Sequence, residues 1–177
     1  MTPPIVTVVG KKKSGKTTTV VGLVRELATR GYAVMTVKSG HGFELDTEGR
    51  DSWRHRHEGG ARRVVAAGPD GFAVMGDWPA SGRQSLEDLV AHFLGDADIV
   101  IAEGYKASQV PRIEVYRRAA HVDPIRGTDL DPGAETLVML TDVSDLDLGV
   151  PVLDVDAEDR FARLADLVET RFLGGGR

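Results

Sequence analysis

The sequence predicts a three-layer α/β domain on a mostly parallel sheet, with an added antiparallel hairpin. Three observations carry this. Short apolar runs alternate with segments of helical periodicity, several of the runs are apolar throughout as strands buried on both faces are, and one pair of runs flanks a tight turn. The length of 177 residues suits one domain and a sizeable core. There are 22 Lys+Arg against 27 Asp+Glu, a net charge of −5, which disfavours a general nucleic-acid binder. The absence of Cys excludes thiolate chemistry, Cys-ligated zinc and disulfides.

Each element follows from local chemistry. Ile5 to Val9 is a β-branched strand. From Lys16 to Arg30, Val20, Leu23, Val24 and Leu27 repeat at helical spacing, and Gly31 stands where a C-terminal helix glycine is expected. Ala33 to Val37 reads as a strand. Asp51 or Ser52 can cap a short helix running to His57, before Gly59 and Gly60. Gly68-Pro69-Asp70-Gly71 is a turn signal joining Arg63–Ala67 to Phe72–Met75, so residues 63–76 form a hairpin insertion. A helix is expected over Ser85–Leu94 and a final one over Glu158–Phe172. Strands are expected over Asp98–Ala102, Ile113–Tyr116, Leu137–Thr141 and Val152–Val155. Residues 119–134, rich in Pro and Gly, read as a long surface loop. The expected organisation is one domain over 1–173 and a flexible tail, 174–177. No apolar run is long enough for a bilayer span or placed as a signal peptide, so the chain is expected to be cytoplasmic.

The strongest motif is Gly10-Lys11-Lys12-Lys13-Ser14-Gly15-Lys16-Thr17, which matches G-x-x-x-x-G-K-[ST] between a buried strand and an amphipathic helix. Such a loop turns successive backbone N–H groups toward phosphate oxygens, and the helix adds its positive dipole end. Lys16 is expected at the β- and γ-phosphates and the Thr17 hydroxyl on Mg²⁺. The segment from Gly10 to Thr18 is therefore the candidate nucleotide site. Lys11 takes the second loop position, where some dimeric P-loop ATPases carry a signature lysine. Lys12 and Lys13 read equally well as solvated charges.

A buried run from Ile99 to Ala102 ends in Glu103, a candidate for holding Mg²⁺ or its water shell, and Gly104 leaves room for the nucleotide. The polar loop after the second strand offers Lys38, His41 and Asp46 to substrate or metal, with His41 more readily a solvent-facing residue. The stretch from Arg50 to His57 is dense in cations, and on a helix it presents either an anion-binding face or a solvated one. Asp142, ending a late strand, can read a base through its carboxylate or serve as a plain turn residue.

The order of these pieces resembles the MobB family, the molybdopterin-guanine dinucleotide biosynthesis adaptors. The specific parts are Val37-Lys38 with His41, Asp46, Gly49-Arg50-Asp51-Ser52-Trp53-Arg54-His55-Arg56, Gly60-Ala61, Glu103-Gly104-Tyr105-Lys106, and Ile113-Glu114-Val115-Tyr116-Arg117. Glu103 to Lys106 fits the family's E-G-[FY]-K step, and Arg117 its strand-closing arginine. The resemblance implies a P-loop fold, GTP and Mg²⁺ binding with at most weak hydrolysis, and homodimerisation. It also implies partnership with the molybdopterin guanylyltransferase and with molybdopterin itself. The chain departs from the family's K-H-x-H pattern, with Ser39 at the first His position and Gly42 after His41. It also lacks N-K-x-D, so guanine recognition rests on the resemblance. The competing reading is a P-loop small-molecule kinase, for which Arg112, Arg117, Arg118 and Arg126 would supply an arginine-rich lid.

Overall fold

The computed structural model describes residues 2–40, 42, 44 and 46–174. His41 and residues 175–177 of the tail lie outside them. The chain divides into two compact units, one of Met1–Ser39 with Leu86–Arg177 and the other of Gly40–Ser85.

The larger unit holds a six-stranded sheet in which every neighbouring pair is parallel. Its strands are β1 (Ile5–Val9), β2 (Val34–Lys38), β5 (Ile99–Glu103), β6 (Arg112–Tyr116), β7 (Thr136–Thr141) and β8 (Val152–Asp154), in the order β2-β5-β1-β6-β7-β8. The helices of this unit are α1 (Lys16–Thr29), α3 (Leu86–Phe93) and α4 (Arg160–Phe172). Alternation along the strands sorts the two faces. Val6, Val8, Ile99, Ile101, Ile113 and Val115 face one core, with Leu23 and Leu27 of α1 and Leu164 and Val168 of α4. Val100 and Ala102 face the other, with Leu86 and Val90 of α3. Burial on both faces explains why β5, β6 and β7 are buried at every residue. On the first face the Phe161 ring of α4 lies so close to Gly22 of α1 that a Cβ there would collide with it.

The smaller unit holds α2 (Asp51–His57) and a separate two-stranded antiparallel sheet, β3 (Arg63–Gly68) with β4 (Gly71–Gly76). The hairpin thus pairs with itself, leaving the main sheet wholly parallel. Capping of α2 differs from the expectation. Arg50 is its N-cap residue, without a side-chain cap bond, and the Ser52 hydroxyl instead donates to Asp46 Oδ1 at 3.0 Å. Arg54 pairs with Glu58 at 2.9 Å and Arg56 with Asp77 at 2.9 Å, so two of the cations in this stretch are already neutralised within the unit.

No helix among the described residues is long and apolar enough to cross a membrane.

Candidate functional site: the phosphate loop and its strand-end carboxylate

A parallel sheet gathers the C-terminal ends of all its strands on one edge, and sites of α/β proteins form there. Residues scattered from position 10 to position 142 come to line one edge by this rule alone. Gly10 follows β1, Lys38 closes β2, Glu103 closes β5, Arg117 follows β6 and Asp142 follows β7.

The loop between β1 and α1 is tightly wound. A Cβ on Gly10 would strike the Val115 carbonyl and the Ser14 hydroxyl, and Gly15 holds φ +102, a value that L side chains rarely adopt. Gly15 is the N-cap of α1 and makes no side-chain cap bond, and the first turn carries no acid. The helix start is thus open to an anion, which its unpaired N–H groups and dipole attract. Ser14 Oγ is buried with no hydrogen-bond partner, an orphan hydroxyl within the loop. Lys16 Nζ donates to the Lys11 carbonyl at 2.7 Å, spanning the loop from inside. Burial holds the Lys16 ammonium below the ordinary lysine range; the charges of Lys106 and Lys38 push the same way, while Glu103 opposes them. An added anion would relieve this crowding.

Glu103 stands beside β1, its Cα paired with that of Val8, and is buried. Its carboxylate accepts a hydrogen bond from Thr17 Oγ1, at 3.0 and 3.1 Å from its two oxygens, and forms an ion pair with Lys38 Nζ. The backbone turns sharply here. Gly104 donates to the Val8 carbonyl at 3.0 Å, and both Gly104 and Tyr105 have positive φ, +96 and +55. A Cβ on Gly104 would come within 3.1 Å of Ser39 Cβ, so the glycine also lets the end of β2 approach.

These contacts bring together three of the predicted site elements: the loop from Gly10 to Thr18, Lys38, and Glu103 with Gly104. Arg117 joins the rim, its Nε 3.9 Å from where a Gly15 Cβ would be, and it is held bidentately by Asp156 at 2.7 and 3.0 Å. The bond to Asp156 raises the Arg117 pKa above its ordinary value. Asp142 Oδ1 accepts the backbone N–H of Arg118 at 2.9 Å, which ties the exits of β6 and β7. Asp46 belongs to the smaller unit, where Oδ1 accepts from Thr47 N–H and from Ser52, and Oδ2 is buried without a partner.

The residues present fit a nucleotide and a divalent ion: an open helix start, an orphan hydroxyl in the loop, and a hydroxyl already paired with a strand-end carboxylate. Among the described residues no group of three or more His, Asp or Glu could hold a metal unaided, so phosphate oxygens would complete such a shell.

The lid expected of a kinase is not formed by Arg112. It lies inside β6, 1% exposed, bonded to Thr136 Oγ1 at 3.0 Å and to Asp131 at 2.6 Å. Beside it Glu114, fully buried, accepts the backbone N–H groups of Ile125 and Arg126. Polar residues at alternate positions of the β6 run Arg112-Ile113-Glu114 were the available signal of this cluster. His121 was not singled out in the sequence at all, yet its Nε2 lies 2.6 Å from the Lys12 carbonyl of the phosphate loop.

Comparison with known proteins identifies the family. The MobB family, molybdopterin guanine dinucleotide synthesis protein B, matches residues 5–131. A molybdopterin-guanine dinucleotide biosynthesis adapter protein of Haemophilus influenzae is 30% identical over 168 residues, 94% of this chain and 88% of the relative. An Escherichia coli protein of the same name is 28% identical over 145 residues, 81% of this chain and 80% of the relative. A crystal structure of molybdopterin-guanine biosynthesis protein B superposes with TM-score 0.73 at 25% identity, covering 96% of this chain and 99% of that one. The MobB homologue of Bacillus stearothermophilus shares the fold, with TM-score 0.67 at 23% identity over 94% of this chain and 99% of that one. The chain belongs to the MobB family of P-loop nucleotide-binding proteins.

Proposed function

We propose that this chain is a GTP- and Mg²⁺-binding adapter in molybdopterin guanine dinucleotide biosynthesis. The observation that carries the reading is the uncapped start of α1 beside the Thr17–Glu103–Lys38 cluster, in a chain of this family. Backbone N–H groups from Lys11 to Thr18 would hold the phosphates, and Lys16 would exchange the Lys11 carbonyl for phosphate oxygen. Thr17 and Glu103 would hold Mg²⁺. The ion would neutralise phosphate charge and fix the chain of phosphates in one orientation. Arg117 and Asp142 would line the rim toward the nucleoside, where the Asp142 carboxylate suits the two adjacent N–H donors of guanine better than the single donor that adenine sets beside an acceptor. Residues 1–173 act as one nucleotide-binding domain, with Gly40–Ser85 as an inserted unit.

A phosphoryl-transfer enzyme is disfavoured because Arg112 is enclosed and Arg117 is committed to Asp156. Slow hydrolysis at most is expected, and the chain would work with the molybdopterin guanylyltransferase and with molybdopterin itself. Homodimerisation is supported by apolar side chains that the hairpin leaves exposed, Val65 at 61% and Phe72 at 78%.

Calorimetric titration with GTP and ATP, with and without Mg²⁺, tests the reading, alongside steady-state turnover without partners. GTP preference, Mg²⁺ dependence and negligible turnover are expected. Rapid phosphoryl transfer to a small acceptor would overturn it.

A further inference from the structure

The carbonyls of a phosphate loop point away from its anion-facing amides and need partners of their own. Here the Lys11 carbonyl accepts from Lys16 Nζ. The next carbonyl, that of Lys12, is reached by a residue 109 positions away, His121. A carbonyl oxygen can only accept, so His121 Nε2 carries the hydrogen and donates.

The peptide joining Lys12 to Lys13 is the one that most needs fixing. Lys13 is left-handed, with φ +64, a conformation that costs a non-glycine residue about 1 kcal/mol or more. In a trans peptide the C=O and the following N–H point in opposite directions. A hydrogen bond pulling the Lys12 carbonyl toward His121 therefore aims the Lys13 N–H away from His121. Orientation of that amide is what a phosphate oxygen would use.

The residue that does this is not on a slack loop. His121 N–H and Ala120 N–H both donate to the Arg117 carbonyl, at 3.1 and 3.0 Å. The next carbonyl, of Val122, accepts from Tyr116 Oη at 2.7 Å. Further on, the Glu114 carboxylate grips Ile125 and Arg126, and Arg112 grips Asp131. The buried polar residues of β6 thus fasten the loop that presents the imidazole.

We propose that His121 is a positioning residue for nucleotide binding, holding the Lys12–Lys13 peptide in the orientation that offers the Lys13 amide to phosphate. The inference rests on the nucleotide-binding reading above. It concerns a residue that touches the loop's backbone from outside and not the nucleotide.

The test is a titration of GTP·Mg²⁺ into the full chain and into His121→Ala and His121→Gln, with thermal unfolding of each free protein. The alanine variant should bind about fivefold more weakly, the worth of one lost hydrogen bond, and release nucleotide faster by a similar factor. The glutamine variant, whose amide can still donate, should return to within about twofold of the wild type. Unchanged affinity in the alanine variant would overturn the assignment, as would a glutamine variant as weak as alanine. A weaker affinity matched by an equal loss of unfolding temperature in both variants would also overturn it, because that is the mark of a general structural role. A wild-type chain that binds no nucleotide would bring down the underlying reading instead, and that result is read before any variant is compared.

Discussion

Two buried glutamates on neighbouring strands of β1 show how one residue type can serve opposite ends. Glu103 closes β5 and Glu114 sits inside β6, and the Cα partners of both lie on β1, at Val8 and Val9. The partners differ. Glu103 is met by side chains, the Thr17 hydroxyl and a Lys38 that is half exposed. Glu114 is met by backbone N–H groups of Ile125 and Arg126, with Arg112 nearby and equally enclosed. Side chains on a sheet edge can swing to a new partner at the cost of a rotamer, whereas backbone amides move only with their whole segment. Glu103 is placed where a ligand can change its contacts, and Glu114 where a loop is fastened.

Three substitutions probe that contrast. The largest effect is expected from Lys16→Ala, which removes the cation of the exchangeable centre. GTP affinity should fall by about 100-fold, the worth of charge-assisted bonds to phosphate, while the unfolding temperature of the free protein stays near that of wild type. Calorimetry and thermal denaturation check the two halves separately. Undiminished affinity would show that phosphate sits elsewhere. Next is Glu103→Gln, which keeps the shape but not the charge. The gain in GTP affinity on adding Mg²⁺ should shrink about tenfold, measured by titrations in Mg²⁺ and in EDTA.

The smallest effect is expected at the fastener. Burial pushes the Glu114 carboxyl above its ordinary value of 4.5, and Asp131 adds to the rise. The Ile125 and Arg126 amides and Arg112 pull against it without cancelling it. A group whose pKa is raised on folding gives stability that is full below its unfolded value and is lost as pH rises through its folded value. The unfolding temperature of wild type relative to Glu114→Gln should therefore decline from about pH 4.5 upward. A difference independent of pH would mean that Glu114 does not carry this penalty.

The cluster beside the phosphate loop was legible in the sequence as a set of positions, and the fastener was not. The phosphate loop is contiguous, so Gly10, Gly15, Lys16 and Thr17 announce themselves by spacing. Glu103 was legible because an apolar strand ends on it, and the parallel sheet because β5 and β7 are apolar along their length. Arg112 looked like a mobile lid residue, since β6 with two charges does not resemble a strand buried throughout. Its partners Asp131 and Thr136 lie in and after a loop with no periodicity to reveal them. Nothing local ties His121 to Lys12, because that contact exists only when β1 and β6 are neighbours.

The position of β1 in the sheet also sets the order in which the chain can become competent. It precedes both of its neighbours in the chain, since β5 and β6 begin at residues 99 and 112. The Phe161 ring that lies on Gly22 comes later still. A nascent chain leaving the ribosome therefore carries its phosphate loop beside a strand with two bare edges until β5 and β6 have emerged. The loop gains its walls only after β5 and β6 have followed it out of the ribosome, so its final shape waits on chain made well after the motif itself.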